Sequence, residues 1–101
     1  MSVSFHEHAR AELWEAYEYY EGKAPGLGQR FVDAVELAVQ EVAEHPASAQ
    51  VFRPANTDTP WRTKIVRRFP YVVLYMALND GVAVVAVTSS LRRPRDFLER
   101  L

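Results

Sequence analysis

Residues 61–90, WRTKIVRRFPYVVLYMALNDGVAVVAVTSS, constrain the fold more than any other part of the chain. Residues 71–78 and 82–87 are continuous apolar runs rich in Val, Tyr and Leu. Runs of that length, bounded by turn residues, predict strands buried on both faces. Asn79-Asp80-Gly81 separates them, and Asp-Gly is a strong hairpin signal because glycine takes the positive φ of a tight turn. Ahead of Tyr71, the cations Arg62, Lys64, Arg67 and Arg68 interleave with Trp61, Ile65 and Val66. That pattern predicts a third strand with a wetter face. The expectation is a three-stranded antiparallel meander carrying cations on its first strand.

Such a sheet needs a cover, and the first half of the chain supplies it. Residues 3–5 read either as a short strand or, through Ser4 and Glu7, as part of a Ser-x-x-Glu capping box. A helix follows either way. From Ala9 onward, Leu13, Ala16, Tyr17 and Tyr20 share one helical face. Glu12, Glu15, Glu18 and Glu21 fall elsewhere and predict an acidic outside, with Gly22 as the C-cap and Lys23 near the negative end of the dipole. After the short Ala24-Pro25-Gly26 link, Phe31, Ala34, Val35, Ala38 and Val42 keep the 3/4 spacing of a second helix over 27–44. His45-Pro46 stops it, since the residue before a proline is pushed out of the helical region. Two helices joined so closely lie antiparallel, and the apolar sheet is their available partner. Residues 46–60 read as a loop with a short extended piece at 51–53. Pro94 suits the first turn of a short terminal helix, with Phe97, Leu98 and Leu101 packing back on the sheet. The fold class is therefore α+β: a two-helix antiparallel hairpin on a small, mainly antiparallel sheet.

The 101 residues fit one domain, 1–101, with 49% apolar and 25% charged residues, ordinary for a globular chain. There is no cysteine, hence no disulfide framework and no thiolate chemistry. No window approaches the ~18 apolar residues of a membrane span, and the start VSFHEHARAE does not resemble a signal peptide. A cytoplasmic location is expected. The net charge of −1 hides an asymmetry: residues 1–50 hold nine acidic and three basic residues, residues 51–101 four acidic and nine basic. Such a split points either to an anionic partner or to helices and sheet that neutralise each other.

The cations also frame the chemistry. Arg67 and Arg68 enter the central strand, and Arg92, Arg93 and Arg95 follow the last one. Antiparallel pairing would merge them, with Arg62 and Lys64, into one patch suited to an acidic protein surface or to phosphates. Cations on an edge strand also guard against edge pairing, so part of the cluster has a structural explanation. Metal-free RNA cleavage would need a base and an acid beside the cations, and arginine serves poorly as a base. Tyr71 and Tyr75 lie near but read as core residues. No catalytic residue is assigned. His6 and His8 lack a third ligand, so no metal is expected, and no cofactor motif is visible.

Several pieces together resemble the RelE/ParE superfamily of bacterial type II toxin–antitoxin toxins. They are Ala9, Glu12-Leu13, Ala16 and Tyr19-Tyr20-Glu21; Gly26-Leu27-Gly28 and Phe31; Arg67-Arg68-Phe69-Pro70-Tyr71-Val72-Val73-Leu74-Tyr75; Val84-Val85-Ala86-Val87; and Arg92-Arg93-Pro94. The Phe-Pro-Tyr strand entry and the Arg-Arg-Pro ending resemble the ParE branch. That resemblance implies a toxin of a plasmid-stabilisation type, neutralised by a cognate ParD-like antitoxin and acting by binding and inhibiting DNA gyrase. The RelE branch implies instead a ribosome-dependent mRNA endonuclease. Family nucleases often place Tyr or His near the chain end, where this chain has Phe97, and Ser89-Ser90 replace a more basic turn. A non-toxic antitoxin-binding relative is a third reading. Leu13, Trp14, Tyr17 and Tyr20 are the expected antitoxin contacts, offering an apolar groove for a helix beside an open sheet edge for a strand; core packing is the alternative role for Leu13, Tyr17 and Tyr20, and covering the second helix that for Trp14. Arg62, Lys64, Arg67, Arg68, Arg92, Arg93 and Arg95 are the expected target contacts.

Overall fold

A computed structural model describes residues 2–45, 50–52, 61–78 and 81–89. In chain order these form β1 (Ser2–Phe5), α1 (Glu7–Lys23), α2 (Leu27–Glu44), β2 (Gln50–Phe52), β3 (Trp61–Val66), β4 (Tyr71–Leu78) and β5 (Gly81–Ser89). The α+β architecture is as the sequence predicts. The meander β3-β4-β5 is antiparallel, but it is the centre of a larger sheet in the order β1-β5-β4-β3-β2. β2 adds antiparallel to β3, and β1 adds parallel to β5, so the sheet is mixed. The expected terminal helix and residues Arg53, Asn79 and Asp80 lie outside the described residues.

The capping-box alternative for Ser4 is overturned: Ser4 pairs with Ala83 inside β1. The N-cap of α1 is His6, whose Nδ1 accepts the His8 N–H at 3.1 Å, while the His6 N–H donates to the Val84 carbonyl at 2.8 Å. Strand and helix thus meet at one residue. Gly22 is likewise not the C-cap. α1 continues through Lys23, and Ala24 closes it by donating to the Tyr20 carbonyl.

Two glycines fix the hairpin. Gly26 takes φ 84 as the N-cap of α2, a conformation open to glycine without steric penalty. A Cβ on Gly28 would stand 2.7 Å from the Tyr17 carbonyl oxygen, so only glycine lets the helices approach this closely. Glu21 completes the joint. Its carboxylate accepts the N–H groups of Gly26 at 2.9 Å and Gly28 at 3.0 Å, satisfying donors left open at a helix N-terminus.

The core lies between the helices and one sheet face. Phe31, Val35 and Val42 of α2, with Ala9 and Ala16 of α1, meet Val66, Val73, Tyr75, Val82, Val84 and Val87. Val84 and Val87 both join this core although three residues apart. A bulge explains it: Leu74 pairs with Ala86 and Tyr75 with Val84, which leaves Val85 as an extra residue. The bulge shifts the alternation, and Val85 and Ala86 pack instead with Leu74 in a second cluster. β5 is buried over most of its length, whereas β4 ends in exposed Ala77 and Leu78, shorter in its burial than the apolar run suggests.

Candidate functional site

Lys64, Arg67 and Arg68 lie toward the end where β3 turns into β4, and Arg62 lies near the other end of β3. Strand alternation places Arg62 and Lys64 opposite Tyr75 and Val73, on the helix-facing side of the sheet. The other side of β3 carries Thr63 and Ile65, and Ile65 is 71% exposed. The wetter face predicted for this strand is therefore not where the cations lie; they flank the core, and an apolar side chain faces solvent.

Glu41 of α2 meets them there. Its Oε2 lies 3.2 Å from Arg67 Nη2 and 3.9 Å from Lys64 Nζ. Partly exposed pairs of this kind contribute under about 1 kcal/mol each, so their effect is on charge and placement rather than on stability. The turn itself is held by Phe69, whose N–H donates to the Val66 carbonyl at 3.4 Å. Between Arg67 and Phe69, Arg68 adopts φ 71, a left-handed conformation that costs a non-glycine residue about 1–2 kcal/mol.

Behind the turn stands an aromatic cluster. Phe69 packs edge-on against Tyr20 at 4.9 Å and Phe31 at 5.1 Å, and Tyr71 reaches Phe31 at 5.0 Å. Each such pair adds about 0.5–1.5 kcal/mol beyond area burial. Burial raises the phenol of Tyr20, with Tyr71 and Tyr19 adding to the effect. Tyr75 is fully buried; burial raises its phenol too, against the lowering effect of the neighbouring Arg62 guanidinium. An ordinary phenol is already neutral at pH 7, and these shifts move both tyrosines further from ionising.

Of the predicted target contacts, Lys64 and Arg67 share Glu41 and Arg68 follows them in the turn, while Arg62 lies near the far end of β3. Arg92, Arg93 and Arg95 lie outside the described residues, but Ser89 at the end of β5 pairs with Tyr71 at the start of β4, directly after the turn.

The predicted antitoxin contacts separate. Leu13 and Trp14 line an apolar groove of about 420 Å³ between the start of α1 and the second half of α2, with Phe5, Val35 and Val39 as floor and Arg10, Glu36 and Gln40 beside them. Trp14 is 53% exposed. Tyr17 packs edge-on against it at 5.6 Å, whereas Tyr20 turns into the aromatic cluster. A second, more polar groove of about 310 Å³ runs between α1 and the end of β5, past Glu12, Glu15, Tyr19 and Tyr71.

Glu12 departs from its expected place on the outside of α1. It is half-buried, and its Oε1 accepts the Val87 N–H at 3.1 Å, on the stretch of β5 that the four-residue β1 does not reach. The roles of Glu41, Glu12 and Glu21 are not revealed by spacing along one helix, because their partners belong to other elements. His6 and His8 stack 4.9 Å apart; among the described residues no group of three or more His, Cys, Asp or Glu is arranged to hold a metal. No helix among them is long and apolar enough to cross a membrane.

Among curated proteins, none matches this chain in sequence. A solved structure of the chromosomal ParDE toxin–antitoxin system from P. aeruginosa is similar in fold, with TM-score 0.69 and 19% identity over 88% of this chain and 95% of the other. The two-helix hairpin on its mixed sheet is thus a fold already seen in such a system. A family model, the ParE toxin of type II toxin–antitoxin systems (parDE), matches residues 3–94, which takes in both helices, the sheet, the cationic turn and Arg92-Arg93-Pro94; the chain belongs to the ParE toxin family.

Proposed function

We propose that this chain is a toxin that acts by binding rather than catalysis, that DNA gyrase is its target, and that a cognate ParD-like antitoxin neutralises it in the cytoplasm. The observation that carries the binding reading is the cationic β3–β4 turn, where the adjacent phenols, Tyr20 and Tyr71, pack with Phe31 in the aromatic cluster. An arginine-rich corner binds carboxylates or phosphates well but moves protons poorly. Arg62, Lys64, Arg67, Arg68, Arg92, Arg93 and Arg95 are the target contacts in this reading. Membership of the ParE family supports gyrase over the ribosome-bound message of the RelE branch.

The antitoxin would lay an amphipathic helix into the groove at Leu13 and Trp14, beside Tyr17. Tyr20 would act from behind, by holding α1 in place. Neutralisation then works from a different face of the molecule than target binding. Induced expression should arrest growth, and Arg92→Ala with Arg93→Ala should relieve the arrest while circular dichroism stays unchanged. A folded double variant that still arrests growth fully would remove those arginines from the mechanism. Arrest with gyrase unaffected and messages cut on ribosomes would instead favour the nuclease.

A further inference from the structure

The cations of β3 and of the β3–β4 turn differ in how they are held. Lys64 and Arg67 share the Glu41 carboxylate, and Arg62 stands across from the buried Tyr75. Arg68 is exposed and is the one non-glycine residue with positive φ among the described residues. Both of its neighbours have partners on the helices, Arg67 through an exposed ion pair and Phe69 through its ring. Arg67 reaches Glu41 at 3.2 Å, and the Phe69 ring sits in the aromatic cluster with Tyr20 and Phe31. With its neighbours so engaged, the tip takes the left-handed backbone and Arg68 stays exposed. Glycine would take that backbone without steric cost, so arginine stands here against the local preference, as residues do where a site over-determines its geometry.

We propose that Arg68 is the primary contact of this turn with an acidic segment of a protein partner, and that Glu41 limits the turn's charge by holding Lys64 and Arg67. This rests on the reading of the cationic corner as the target-binding site and names the residue and partner chemistry within it. A guanidinium presented at a turn tip matches a carboxylate with two parallel hydrogen bonds. Nucleic acid fits less well. The chain's net charge is −1 and its pI about 6.3, whereas nucleic-acid binders are typically strongly basic.

The test is fluorescence anisotropy of a labelled glutamate-rich peptide at low salt, with a DNA duplex as the second probe and thermal melting on every variant. Arg68→Gly should weaken peptide binding about tenfold, the loss of one charge-assisted pair, with the melting temperature unchanged or raised. Glu41→Gln should tighten binding. Arg30→Ala, which removes an exposed arginine at the start of α2, should leave binding within about twofold. Unchanged binding by Arg68→Gly, or binding and melting temperature falling together, would overturn the assignment to Arg68. Unchanged or weaker binding by Glu41→Gln would overturn the role of Glu41, and tighter binding to the duplex than to the peptide would overturn the partner class. The peptide result is independent of gyrase inhibition, so a wrong target would leave it standing.

Discussion

The two helices of the hairpin are nearly equal in length and built on different principles. α2 is a plain amphipathic helix: Phe31, Val35, Ala38, Val39 and Val42 form its buried stripe, and its exposed side carries mainly polar residues. α1 buries only Ala9 and Ala16 fully. Its aromatic residues divide between core and solvent, with Tyr20 turned inward and Trp14 and Tyr19 exposed. Two of its four mid-helix glutamates bind backbone N–H groups of other elements. Small buried residues bring α1 close to the sheet; its large side chains are left to line the two grooves. α2 is thus built mainly as scaffold, while α1 leaves large side chains at the surface.

Removing a buried side chain from α2 should have the largest effect. Phe31→Ala, at a fully buried position inside the aromatic cluster, should cost about 3–5 kcal/mol in denaturant unfolding. An intermediate loss is expected at the point where α1 serves the sheet. Glu12→Ala strands the Val87 N–H and should cost about 1–3 kcal/mol, with amide exchange at Val87 accelerated. The smallest effect on stability belongs to Trp14→Ala, under about 1 kcal/mol for an exposed side chain. That variant should nonetheless lose capture by the co-expressed antitoxin. If Trp14→Ala destabilises as strongly as Phe31→Ala, or binds antitoxin normally, the division between the helices fails.

The same division governs what could be read from the chain. α2 is legible to its ends because period and stop signals coincide: an apolar 3/4 pattern, Gly26 before it, His45-Pro46 after it. β4 and β5 are legible because two apolar runs flank Asp80-Gly81. What escapes is long-range. β1 pairs with β5 across nearly the whole chain, and no local pattern in Ser2–Phe5 announces a partner at residues 81–84. The bulge at Val85 is invisible in an unbroken apolar run, since every residue there is a plausible core residue. Glu12 and Glu21 look like surface residues by helical spacing, because the donors they satisfy lie on β5 and at the start of α2. At the site, the cations are plain in the sequence and their inequality is not. It depends on Glu41 and on the backbone of Arg68, which only the packed helix and turn bring together.

Plasmid supercoiling by purified gyrase, with this protein titrated in, tests the functional account most directly. Both lost supercoiling and trapped cleaved plasmid should rise with dose, and Arg68→Gly should shift the response to higher concentration. A folded protein that leaves supercoiling untouched at every dose would contradict gyrase as the target and move the search to translating ribosomes with a defined message.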